Sequence, residues 1–215
     1  MQFTAFTALA SLVAAVSGMP TWTASYNGTV PVNGTVPANG TVPTNGTAPG
    51  LPADAKFQLM SLRSASPVHF SRFQAARTAF FLQLPAQNAS CDAGNDQGVA
   101  TFYLQDGGLY LYSTDFPTQQ AFTDRSGMGQ GVFGYTTGVQ PVVRNGERTG
   151  FQLDAFGNLN FDGAGFLACP NSIDGAWGLR ISTGSSQPAG REGCLGVSVR
   201  AVQIEQPVGC LYTQQ

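Results

Sequence analysis

Phe102-Tyr-Leu-Gln-Asp-Gly-Gly-Leu109 and Phe151-Gln-Leu-Asp-Ala-Phe-Gly-Asn-Leu159 decide how this chain folds. Each places a short aromatic-rich run before an Asp/Gly turn and a second apolar run after it, the pattern of a β-hairpin. They begin 49 residues apart. Reading outward, apolar runs bounded by Gly, Pro, Asn and Asp recur at hairpin-like intervals. Strands are predicted over 56–62, 67–71, 79–84, 99–105, 109–113, 120–124, 132–136, 150–154, 158–161, 165–169, 176–182 and 195–204. One helical turn is expected over 73–78, and no segment carries a long 3.6-residue period. The expected class is all-β. About a dozen short strands with a repeat near fifty residues favours a β-trefoil over a β-sandwich.

This domain is expected to span 56–215. Before it, over 19–55, the chain reads as a disordered linker built on a six-residue repeat. Asn27-Gly-Thr-Val-Pro-Val is followed without a gap by units opening at Asn33, Asn39 and Asn45. A proline in every unit removes a backbone donor and holds the preceding residue extended, and no apolar face exists to bury. Fully extended, the repeats would reach roughly 75 Å at about 3.1 Å per residue. Each unit opens with Asn-Gly-Thr, an N-glycosylation sequon, so Asn27, Asn33, Asn39 and Asn45 are candidate glycan sites. A fifth sequon, Asn88-Ala-Ser90, lies beside Cys91 and is expected to be less accessible.

Residues 1–18 read as a signal peptide. The apolar run over 6–16 suits a signal core and is too short for a bilayer, and small residues follow at Val16-Ser17-Gly18, although no lysine or arginine precedes the run. No later segment is apolar for long enough to cross a membrane, and the polar Cys210-Leu-Tyr-Thr-Gln-Gln215 lacks the tail of a lipid-anchor signal. In the oxidising compartment that a signal peptide implies, Cys91, Cys169, Cys194 and Cys210 make an even set with three possible pairings. The nested one, Cys169–Cys194 inside Cys91–Cys210, is expected. No cysteines have the C-x-x-C spacing of a zinc site, and His69 is the only histidine.

Charged residues make up 10 % of the chain and the formal net charge is −2, so no basic stripe exists to meet nucleic acid. A nucleophile–histidine site would have only His69 as base, with no G-x-S-x-G elbow to support it. Polysaccharide hydrolysis needs two facing carboxyls. The candidates are Asp106, Asp124, Asp154, Asp162, Asp174, Glu147, Glu192 and Glu205, and most sit beside glycines, where turn formation is their first role. Asp92-Ala-Gly-Asn-Asp96-Gln-Gly98 superficially resembles a calcium loop but lacks the third-position and distal ligands. Asp124-Arg-Ser-Gly-Met-Gly-Gln-Gly131 lacks the lysine and hydroxyl of a phosphate loop and reads as a tight turn, with Asp124 and Arg125 free to pair locally or across it. Sugar recognition would use exposed aromatic rings. Tyr110 and Tyr112, on one face of a strand, are the candidates, whereas Trp177 and most phenylalanines belong to the core.

The domain resembles the phiA-like cell wall proteins of filamentous ascomycetes, a family associated with phialide and conidium development and known also as IgE-binding antigens. The likeness runs from Phe57 to the C-terminus. It is carried by Phe57-Gln-Leu-Met-Ser-Leu-Arg-Ser-Ala-Ser-Pro67, Gly98-Val-Ala-Thr-Phe-Tyr-Leu104, Asp124-Arg-Ser-Gly-Met-Gly-Gln-Gly131, Ala168-Cys-Pro-Asn171, Asp174-Gly-Ala-Trp177 and Gly193-Cys-Leu-Gly196. The sequon repeats lie outside it. A fainter likeness joins the domain to the C-terminal part of yeast wall proteins with internal repeats, through Asp124-Arg-Ser-Gly, Gly-Asn-Leu at 157–159 and the cysteine order. Their glucan-linking repeat is absent here, so that mode of attachment does not carry over.

The resemblance implies a secreted, glycosylated wall protein with a structural or developmental role, no catalytic residues and no cofactor. Its expected partners are wall polysaccharide or other wall proteins, without nucleic acid or a membrane anchor. A lectin-like module is the alternative, and a polysaccharide hydrolase a third reading.

Overall fold

A computed structural model describes residues 50–94, 96–115 and 117–215. The expected signal peptide and nearly all of the expected linker, with Asn27, Asn33, Asn39 and Asn45, lie outside the described residues. The described chain begins at Gly50, and Leu51 already packs against the core.

The described residues hold fourteen strands: β1 (Phe57–Leu62), β2 (Phe73–Ala76), β3 (Ala79–Leu82), β4 (Ser90–Cys91), β5 (Thr101–Gln105), β6 (Gly108–Leu111), β7 (Gln119–Asp124), β8 (Val132–Thr137), β9 (Phe151–Leu153), β10 (Asn158–Phe161), β11 (Phe166–Cys169), β12 (Trp177–Ile181), β13 (Leu195–Gln203) and β14 (Cys210–Leu211). All-β is therefore the class. Nine strands close into a barrel in the order β1-β5-β6-β7-β8-β3-β12-β11-β13, with β13 returning to pair β1 from Phe57↔Gln203 to Leu62↔Ser198. Closure removes the open edges of the sheet. Two further hairpins adjoin this ring, one sharing a strand with it. The first arises where β2 pairs β3, and the second where β9 pairs β10, which joins β13 at Leu159↔Val199.

Every pairing is antiparallel, and that has a geometric consequence. Strands that alternate in direction close a ring only when their number is even. The ninth strand must therefore lie across the run, and β3 is that strand. It meets β8 at Ala79↔Gly134 and β12 at Trp177↔Leu82 and Gly178↔Phe81, while β8 and β12 also touch directly at Arg180↔Val132. The three strands form a splayed junction in an otherwise continuous wall.

The core is aromatic. Phe57, Phe73, Phe80, Phe102, Phe133, Phe151, Phe161 and Phe166 are buried together, with Phe80 and Phe133 stacked 4.3 Å apart and Phe151 meeting Phe161 edge-on at 4.6 Å. Each ring removed from water contributes about 1.5–3 kcal/mol, plus a smaller packing term. β1 and β13 alternate buried and half-exposed positions, as strands with one wet face should, whereas β2 and β11 are buried throughout.

Two expectations are corrected. Residues 67–71 form turns, not a strand: His69 N–H donates to Ser66 O, Ser71 N–H donates to Val68 O, and Phe70 has φ 62°. The reason is local, because Ser66-Pro67 starts the turn and the His69 Nδ1 then accepts from Arg63 N–H at 3.0 Å. Residues 73–78 are not a helical turn either. They supply β2 and the two-residue link Arg77-Thr78, both at positive φ (49° and 60°) as a tight hairpin requires. Such a conformation is costly for a β-branched threonine, and tertiary bonds hold it. Arg77 N–H donates to Thr213 Oγ1 and Thr78 N–H to Thr213 O, while Thr78 O accepts from Tyr135 N–H.

Candidate functional site: an aromatic face on the barrel

The β5–β6 hairpin turns on Asp106-Gly107, with φ 50° and 74°. That two-residue turn fixes the register Tyr103↔Tyr110 and Leu104↔Leu109. Leu109 and Leu111 then point into the core, so Tyr110 and Tyr112 share the outer face. Tyr103 joins them from β5: its ring stacks on that of Tyr110 at 5.1 Å with 17° between planes. Lys56, just before β1, sets its Nζ 4.6 Å from the Tyr103 ring centre and 5.6 Å from that of Tyr112. Such a cation over aromatic faces contributes about 0.5–1 kcal/mol at an exposed site.

Glycine at the floor of this face leaves room for the side chains above it. A Cβ at Gly108 would come within 2.8 Å of Tyr110 Cε2 and 2.9 Å of Gln120 Nε2. Tyr110 thus lies flat over bare backbone, with the Gln120 amide beside it and Arg148 Nη1 donating to Gln120 Oε1 at 3.0 Å. Burial, then the neighbouring Tyr110, pushes the Tyr103 phenol above its ordinary range, so it remains a neutral donor well past neutral pH. Flat rings, an amide and a cation on one surface form a set able to stack on an apolar sugar face and to bond its hydroxyls. Tyr103 was not singled out in the sequence, although its place in the third pair from the Asp-Gly turn, opposite Tyr110, was the available signal.

The structure brings some of the candidate carboxylates together and leaves the rest apart. Asp106 and Asp162 line one shallow cleft at the tip of the β5–β6 hairpin, beside β9. Asp162 is engaged by Arg125 Nη2 at 3.1 Å, and the same guanidinium makes a two-pronged bond to Glu147, at 2.9 and 2.5 Å. Arg125 also lies 4.7 Å from the Phe161 ring centre. The anticipated Asp124–Arg125 pairing is therefore replaced. Asp124 instead accepts from Ser126 N–H at 2.9 Å, and a Cβ at Gly129 would collide with its side chain. Asp154 caps its own turn by accepting from Phe156 and Asn158 N–H, and Asp174 faces Arg77 at 3.8 Å. Glu192 and Glu205 are exposed. Arg125 hydrogen bonds hold Glu147 below its usual range, and Asn158 does the same for Asp154, the opposite of what a general acid needs.

The loop around Asp92 and Asp96 is tied by protein groups. Asp96 accepts from Gln87 Nε2, Ala89 N–H and Gly98 N–H, and Asp92 from Thr114 Oγ1. No group of three metal-ligating side chains occurs among the described residues. Cys91 is bonded to Cys210 and Cys169 to Cys194, the nested pairing. Cys91 and Cys210 are also partners in the β4–β14 ladder. Asn88, expected to be sheltered, is exposed.

The family model described as PhiA-like secreted protein matches residues 57–213. The chain belongs to this family. Curated PhiA-like relatives bear the name cell wall protein phiA. One from Aspergillus fumigatus is 47 % identical over 163 residues, covering 76 % of this chain and 88 % of its own. One from Emericella nidulans is 46 % identical over 158 residues, 73 % of this chain and 86 % of its own. A third, from Aspergillus niger, is 46 % identical over 157 residues, 73 % and 85 % of the two chains. No solved structure matches the chain. The PhiA-like family is one of secreted proteins and its curated members are named for the cell wall, so this chain is a secreted cell wall protein.

Proposed function

We propose that this PhiA-like protein is a structural glycoprotein of the wall of conidium-bearing cells, without catalytic activity of its own. Its barrel is a head, and the sequon repeats at Asn27, Asn33, Asn39 and Asn45 form a hydrated, glycosylated stalk. Asn88, exposed on the head, carries a further glycan. The single observation behind a role in the wall is the match to relatives named as cell wall proteins over most of the domain. Sequential extraction of walls with salt, hot detergent and mild alkali, followed by immunoblotting, tests it. A wall-bound band that drops in mass on glycan removal is the expected result, and protein confined to the medium would reject the reading.

A second reading, a carbohydrate-binding head, is favoured by the stacked Tyr103 and Tyr110 with Tyr112 and Lys56 beside them. On this reading the outer face of β5 and β6 lies against neutral wall polysaccharide. Tyr110→Ala should weaken retention on insoluble β-glucan or chitin by roughly tenfold or more, since one stacking ring contributes about 1–2 kcal/mol. Retention of the variant equal to the parent would remove the tyrosine face from consideration. The trefoil reading of the all-β head belongs here as well; it rests on the two similar hairpins beginning 49 residues apart, and an internal pseudo-threefold axis is what it requires.

A further inference from the structure

The junction of β3, β8 and β12 opens outward as a pocket of about 310 Å³. Its lining includes Phe81, Ser172, Ile173 and Leu179, and three arginines meet there: Arg77 from the β2–β3 turn, Arg180 from β12 and Arg191, which follows the short 3-10 turn Pro188–Gly190. Three of the chain's ten cations thus meet at one hollow of a protein whose formal charge is −2. Among the described residues, Arg180 and Arg191 form no salt bridge, and Arg77 has only the long contact to exposed Asp174. Like charges gathered with so little acid nearby call for an anion from outside.

The arginines are held in place. Arg180 Nη1 donates to Gly129 O and Gln130 O, both at 3.1 Å, which leaves the rest of the guanidinium unengaged. Gln130 Oε1 accepts from Ala189 N–H and so fixes the turn that carries Arg191. Arg180 and Arg191 therefore hang from a single loop, Asp124-Arg-Ser-Gly-Met-Gly-Gln-Gly131, which the tyrosine face does not use. Gly131 shows how tightly that loop docks, since a Cβ there would strike Ile181 O at 2.0 Å. The Arg180 guanidinium is drawn below its ordinary range by burial first and then by the Arg191 charge, a situation an incoming anion would relieve.

We propose that this pocket binds an acidic sugar residue, one carrying a carboxylate or a phosphate, presented by a glycan. The arginine fork and the Ser172 hydroxyl take the anion, and the Ile173 and Phe81 side accepts the apolar face of the ring. The volume suits one monosaccharide. The site shares no residue with the tyrosine face, and its test is independent of the reading given above.

The test is calorimetric titration of the full secreted chain with three oligosaccharides of equal length, one ending in glucuronic acid, one in mannose 6-phosphate and one in mannose. At least one acidic probe should bind roughly tenfold or more tighter than the neutral one, and Arg191→Gln should abolish that margin. Raising salt should narrow it, and Arg191→Lys should restore part of it. Arg144→Gln, an equal change of charge at an exposed position elsewhere, should leave it intact. Whichever acidic probe is preferred identifies the source of the anion. Equal affinity for all three probes, or an acidic preference that survives Arg191→Gln, overturns the proposal.

Discussion

The two hairpins that resemble each other in sequence do different work. β5–β6 is part of the barrel wall: β5 pairs β1 on one side and β6 pairs β7 on the other. β9–β10 stands outside the ring, where β10 meets β13 and β9 has no strand on its far side. Their turns differ as well. Asp106-Gly107 is a two-residue link at positive φ, whereas Asp154 closes a longer turn with its own carboxylate and Gly157 at φ 76°. Local sequence thus specifies that a hairpin forms, and the neighbours decide what it is for. The wall hairpin presents a flat aromatic surface, while the outer hairpin is tied back to the wall hairpin's turn, through Gly150 and Phe151 N–H donating to Gly107 O, and to Arg125 through Asp162.

The largest test of this contrast lies in the core. Phe102, in β5, touches Phe57, Phe73 and Phe80, so Phe102→Ala should cost about 4–5 kcal/mol in denaturant unfolding. Phe151→Ala, in a strand outside the ring whose far side is held by the Gly107 carbonyl alone, should cost about 3 kcal/mol because the site can partly collapse. Equal losses would mean that the outer hairpin is as constrained as the wall. The tether comes next. Arg125→Ala should destabilise by roughly 1 kcal/mol, a figure already reduced for the solvent exposure of the pairs, and salt should lessen it. The Glu147 part has a defined pH dependence, because its folded pKa is depressed. It is fully present above the ordinary glutamate range and disappears as pH falls through the lower folded value. A pH series of unfolding midpoints for parent and Arg125→Ala should converge at acid pH, and parallel curves would break the assignment. The smallest effect concerns the turns. Gly107→Ala and Gly157→Ala each force alanine to positive φ with no atom closer than 3.6 Å, so each should cost about 1 kcal/mol by thermal unfolding. A wide gap between them would show that turn chemistry, rather than neighbouring strands, separates the hairpins.

Much of this is legible in the sequence. Alternation in Phe57-Gln-Leu-Met-Ser-Leu62 and 195–204 marked β1 and β13, and Asp/Gly pairs marked the hairpins. The outward pairing of Tyr110 and Tyr112 followed from the two-residue period. β2 was hidden because Phe73-Gln-Ala-Ala76 is buried on both faces and its link, Arg77-Thr78, contains none of the residues that usually favour positive φ. Gln74 and Gln119 were equally silent. Their side-chain amides bond the backbones of Leu84 and Tyr212 as a neighbouring strand would, a role that composition does not advertise. The arginine pocket joins residues from three distant segments and exists only because a ninth strand must lie across the ring.

Closure of the barrel through β1 and β13 also bears on how the protein is made. The first strand of the domain to emerge during synthesis finds its longest partner only when nearly the whole domain has followed. Until then β1 offers an unsatisfied edge in a crowded secretory compartment. The Cys91–Cys210 bond and the grip of Thr213 on the β2–β3 turn come later still. Such non-local pairing makes folding slow and places its completion after translation. If the preceding repeats carry the glycans proposed above, those sugars would keep the waiting chain in solution, and their first service would come before the protein reached the wall.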